Sequence, residues 1–163
     1  MLFRLNHPVL RTLSGLLLAF GVAHAALAEE GEGGGRRVPL LPQYKQECAA
    51  CHVAYPPGML PSGSWMRLMG NLPHHYGTDA SLDPATVKAL RTWLNANAGT
   101  YQRVREEPPQ DRITRSAWFI RKHDEVPAAT WKRASIKSAA NCAACHTRAD
   151  QGDFDEDHVR IPR

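Results

Sequence analysis

Long apolar runs are missing from this chain. The longest, Leu13 to Val22, is too short to span a bilayer comfortably, and no other segment approaches about 18 apolar residues. Stable membrane insertion is therefore not expected once the N-terminus is removed. Sustained alternation of apolar and polar residues is also missing, which argues against a fold built of strands. Basic residues are not gathered into a concentrated face, as a nucleic-acid binder would need. Cysteine is scarce, with four in 163 residues. Disulfides explain them poorly, because a two-residue spacing closes a tiny loop and removes little unfolded-state entropy.

What the N-terminus does contain is a targeting pattern. Arg4 and Arg11 precede or border the apolar stretch, and His24-Ala25-Ala26-Leu27-Ala28 supplies small residues before Glu29. A positive n-region, a short h-region and an Ala-x-Ala site read as a secretory signal peptide over residues 1–28, cut near Ala28. The expected location is the periplasm. Cutting there leaves 163 − 28 = 135 residues, and 20 − 2 = 18 basic side chains against 16 acidic ones, a net charge of +2. That length suits one domain, or two small lobes sharing a centre.

All four cysteines fall in two copies of one pentapeptide, CAACH: Cys48 to His52 and Cys142 to His146. Two C-x-x-C knuckles could build a zinc site from four thiolates. Zinc does not, however, ask for a histidine directly after each second cysteine. Histidine is 8 of 163 residues, so two chance occurrences at those places have odds of about one in four hundred. Covalent haem does ask for it. In C-x-x-C-H the thiols add across the vinyl groups and the histidine supplies the proximal nitrogen. Cys48, Cys51, Cys142 and Cys145 are thus read as attachment points for two haem c groups, with His52 and His146 as proximal ligands.

The far side of each iron decides the chemistry, since a second strong ligand favours electron transfer and an open position favours small-molecule binding. Candidates are His74, His75, His123 and His158, with Met59, Met66 and Met69 as sulfur alternatives. The stretch from Ser64 reads as a helix with Ser64 at its N-cap, and extended onward it places Trp65, Leu68, Leu72 and His75 on one apolar stripe. Periodicity selects His75. Pro73 can break that helix and return His74 as a candidate, and Met69 shares the Trp65 face. Residues 116–123 also read as helical, with His123 closing an apolar face behind Phe119 and Ile120. His123 lies 23 residues before His146, and His75 lies 23 after His52. His158 sits in an acidic tail and reads as exposed. The alternating aspartates there lack the glycine of a calcium loop.

Between these sites the chain is organised into short helices and long loops. Residues 29–37 form a flexible glycine-rich N-terminus, 38–101 a first haem lobe, 102–112 a charged, proline-bearing solvated connection, and 113–163 a second haem lobe with a polar tail. The clearest helix starts at Asp83-Pro84, carries Val87, Leu90, Leu94 and Ala98 on one face, and stops at Gly99. Another is expected from Cys142 to about Arg148. The class is mainly α. At about 67 residues per haem, the cofactors supply burial that so short a chain lacks.

With CAACH twice, SWMRLMGNLPHHYGTDASLDP after one copy, and KHDEVP, KSAANCAACH and ADQGDFDED around the other, the chain resembles the small dihaem cytochrome c family from about Tyr44 to Pro162. The resemblance implies an exported bis-histidine electron carrier rather than an enzyme, with His52 and His146 proximal and His75 and His123 distal. It also implies redox partners: another haem protein as acceptor, such as a small oxygen-binding cytochrome c, and a membrane b-type cytochrome as donor. The alternative is a dihaem peroxidase or reductase with one open iron. Such enzymes resemble much longer chains, and two distal histidines are available here.

Overall fold

The computed structural model describes residues 38–163. The expected signal peptide over residues 1–28 and the glycine-rich stretch 29–37 lie outside the described residues. Among the described residues five α-helices run Pro42–Cys48 (α1), Ser62–Gly70 (α2), Pro84–Asn97 (α3), Ala117–Lys122 (α4) and Ala128–Trp131 (α5), joined by 3-10 turns. No strand occurs among the described residues, only two isolated bridges, His75 to Thr78 and His146 to Val159. The mainly α class with short helices and long loops is what the sequence predicts.

The expected α3 forms as read. Asp83 caps it, its side chain accepting from the Ala85 and Thr86 amides at 3.0 Å each, and Pro84 occupies the first turn. Leu90 and Leu94 are fully buried against α2, where Trp65 and Met69 complete the main core with Tyr44, Ala54, Leu60 and Leu72. The Trp65 indole N–H is satisfied there by the Pro57 carbonyl at 2.7 Å. Gly99, just past α3, lets the chain approach itself. A Cβ at Gly99 would stand 2.6 Å from both the Gly58 carbonyl oxygen and Val104 Cγ1.

α2 differs from the expected helix at both ends. It begins at Ser62 behind Pro61, whose extended backbone (φ −70°, ψ 160°) makes it the N-cap, and Ser64 is instead a fully buried first-turn residue. It ends at Gly70, with Asn71 at φ −138°, rather than continuing to His75. Pro73 is the cause: it lacks an amide hydrogen and disfavours helix in the residue before it. Leu72–His74 then form a 3-10 turn.

The second CAACH does not start a helix. Only Cys142–Ala144 makes a 3-10 turn, and a second 3-10 turn spans Ala149–Gln151. The backbone there pairs with the C-terminal tail instead: Thr147 N donates to His158 O at 3.1 Å and Arg160 N to Cys145 O at 2.8 Å. α4 does form, with Ser116 Oγ accepting from the Phe119 amide and His123 as the last residue of the motif. The segment 102–112 is mostly exposed but held. Val104 is buried. Arg67 on α2 forks onto Asp111 (2.7 and 3.0 Å) and reaches Glu107 at 2.7 Å. That guanidinium holds the Asp111 carboxyl below its usual range.

Candidate functional site

Each CAACH histidine faces one histidine from elsewhere in the chain. His52 follows the turn after α1, and its Nδ1 lies 2.7 Å from the Val53 carbonyl oxygen. That contact keeps the proton on Nδ1 and leaves Nε2 free to bind a metal. Opposite stands His75, with ring centroids 6.2 Å apart and planes 26° from parallel. His75 is aimed by the chain reversal after it, where Tyr76 (φ 51°) and Gly77 (φ 97°) are both left-handed and Thr78 N returns to His75 O at 3.1 Å. A left-handed tyrosine costs conformational energy. A cavity of about 530 Å³ opens beside His75, between α2 and the turn at Gln110–Asp111.

The second pair is built differently but spaced alike. His123 ends α4, and its Nδ1 lies 2.9 Å from the Phe119 carbonyl oxygen one helical turn back. The Phe119 ring stacks on it at 4.0 Å. His146 faces it with centroids 6.2 Å apart and planes 67° from parallel. A metal–imidazole bond is about 2.0 Å long and the bonding nitrogen lies about 1.1 Å from its ring centre, so two imidazoles holding one metal between them would have centroids about 6.2 Å apart. Both pairs have that spacing.

The electrostatics agree with ligation. Burial holds His75 and His146 below the usual imidazole pKa, with His52 and Arg112 adding to the effect at His75 and His123 at His146. Low pKa keeps them neutral, the form that binds metal. Asp153, nearly buried, pulls His146 partly back. The Nδ1 atoms of His75 and His146 are buried without a hydrogen-bond partner. All four cysteines are free thiols, and burial pushes Cys48 and Cys142 up to about 11. Among the described residues no three histidine, cysteine or acidic side chains converge as they would for a zinc site. The residues present fit one haem at each motif.

Other candidates lie elsewhere. His74 is exposed, with Nδ1 3.1 Å from Asn71 Oδ1. Met69 is packed in the core between α2 and α3. His158 is half-buried rather than exposed, with Nδ1 3.2 Å from Asp153 Oδ2. The bridge from His146 to Val159 draws that tail inward. Phe119 lies one turn before His123 on the same face, as the sequence suggests, but sequence reasoning missed Tyr55, Tyr76 and Phe154 as neighbours of the other histidine rings. Aromatic residues at loop positions carry no periodic signal that could have revealed them.

A family model described as dihaem cytochrome c matches residues 44–154, well over half of the chain. The chain belongs to the dihaem cytochrome c family. A dihaem cytochrome type c from Shewanella baltica OS155 is 38% identical, with TM-score 0.66 over 77% of this chain and 95% of the other. A structure of DHC purified from Rhodobacter sphaeroides is 45% identical, with TM-score 0.62 over 72% of this chain and 99% of that one. A second dihaem cytochrome c structure from Rhodobacter sphaeroides is 42% identical, with TM-score 0.63 over 72% and 100%. No curated protein matches the chain. This dihaem cytochrome carries two haem c groups and is an electron-transfer haem protein.

Proposed function

We propose that the protein is a periplasmic electron carrier whose two haems are both held by histidine pairs, His52 with His75 and His146 with His123. Cys48 and Cys51 attach the first haem, and Cys142 and Cys145 the second. The observation that carries this reading is the shared 6.2 Å separation of the two ring pairs. When bound, each haem supplies a one-electron couple at its iron. The chain would contribute four imidazoles, two of them with Nδ1 held by backbone carbonyls, which leaves their Nε2 available to a metal. A second histidine facing each CAACH histidine would leave neither iron open to substrate, which supports a carrier rather than an enzyme. Ligation by two imidazoles lacks the methionine sulfur that raises potential, so both couples are low for this class. The partners that suit such a carrier are a membrane b-type cytochrome as donor and a second haem protein as acceptor. A signal peptide over residues 1–28 accounts for export.

Ligand replacement tests the pairs. His75→Ala in the ferric holoprotein is expected to turn one haem high spin and open it to carbon monoxide, while His74→Ala leaves both low spin. The reverse result would give the first iron to His74.

A further inference from the structure

Tyr55 belongs to neither attachment motif and to neither histidine pair, yet it touches both sites. Its ring lies on the His52 imidazole, with centroids 4.8 Å apart and planes 24° from parallel. Its hydroxyl donates to the Ala140 carbonyl oxygen at 2.9 Å, across 85 residues of sequence. That carbonyl stands two positions before Cys142 and lies 3.7 Å from its Sγ.

The tyrosine is anchored from behind. Tyr44, buried on α1, donates its hydroxyl to the Tyr55 carbonyl at 2.8 Å. Pro56 directly after Tyr55 restricts its backbone to extended conformations, and Pro57 is buried. A ring stacked on one side and hydrogen-bonded at its tip has little freedom to turn. One side chain thus spans from the imidazole assigned to the first iron to the segment that attaches the second haem.

We propose that Tyr55 is the positioning residue for electron exchange between the two haems, holding His52 in fixed register with the Cys142 attachment segment. The proposal rests on the histidine pairs described above. The exchange balances as one electron: ferrous iron on one side is oxidised to ferric while ferric iron on the other is reduced to ferrous. The phenol keeps its proton and its electrons throughout. Tunnelling weakens steeply across empty gaps, so a ring stack continued by a hydrogen bond gives a better-coupled route than loosely packed chain.

The test uses half-reduced holoprotein and reads the rate at which an electron redistributes between the haems after a reducing pulse. Tyr55→Phe keeps the stack and loses the hydroxyl bond, and it is expected to slow redistribution several-fold. Tyr55→Leu loses both and is expected to slow it by an order of magnitude. Tyr101→Phe, which loses a hydroxyl bond to the Gly58 carbonyl oxygen at 2.7 Å away from both pairs, is expected to leave the rate unchanged. Wild-type rates in both Tyr55 variants, with low-spin spectra intact, would overturn the inference and leave the histidine pairs standing. Equal slowing in Tyr101→Phe would also overturn it, as a general effect of lost packing. A high-spin signal in the wild type would instead overturn the histidine pairs themselves.

Discussion

At the scale of single residues, two of the four histidines are oriented by backbone carbonyls in unlike ways. His52 takes its orientation from the next residue's carbonyl, His123 from a carbonyl one turn back in α4. Phe119 adds a stacked face only to His123. Because the thioethers at Cys142 and Cys145 do not depend on the distal ligand, His123→Met is expected to keep the second haem attached. Sulfur favours the ferrous state, so that haem's midpoint potential is expected to rise while the other moves much less. Potentiometric titration of wild type and variant checks this, and an unchanged pair of potentials would remove His123 from the iron. The CAACH motifs were legible in the sequence because covalent chemistry demands those residues at that spacing. His75 was singled out by the stripe of Trp65, Leu68 and Leu72, but the continuous helix behind that stripe does not form. His75 comes to face His52 through a 3-10 turn and a left-handed Tyr76, which periodicity cannot encode. Tyr55 was invisible for a different reason: its partner lies 85 residues away.

At the scale of elements, local signals worked where the chain satisfies its own backbone. α3 has a capping aspartate, a proline in its first turn and two leucines at the right interval, so its limits could be read directly. α4 was legible for the same reason, through Ser116. The helix expected after Cys142 fails because the tail from His158 to Arg160 takes the backbone groups that a helix would have used. The limits of α2 moved because prolines at 61 and 73 outrank the apolar pattern. Glycines show how tightly the elements meet. Gly99→Ala would drive a methyl into the Gly58 carbonyl and Val104, and such overpacking costs about 1–3 kcal/mol. Gly70 ends α2 with nothing within 4 Å of its would-be Cβ, and Ala there is worth up to about 1 kcal/mol in helix propensity. Thermal unfolding of the holoprotein is expected to show Gly99→Ala melting lower and Gly70→Ala melting no lower than wild type.

At the scale of the whole molecule, the packing is uneven. The main core gathers α1, α2 and α3 with the turn around Leu60, and its members come from the first part of the chain. Around the second motif the buried apolar side chains are few, chiefly Phe119, Ile136 and Ala149. A cofactor at each motif supplies apolar surface that such a short chain lacks. The two sites also differ in one measurable respect. The first pair of rings is 26° from parallel and the second 67°. Near-parallel imidazoles split the two iron d orbitals that overlap their π systems, whereas near-perpendicular ones leave those orbitals almost degenerate. The most direct test of the two histidine pairs is therefore the low-temperature electron paramagnetic resonance spectrum of the fully ferric holoprotein. The expected result is two low-spin signals in equal amount, one rhombic from His52 and His75, one strongly anisotropic with a larger maximum g value from His123 and His146. A high-spin ferric signal, or two low-spin signals of the same type, would contradict the account.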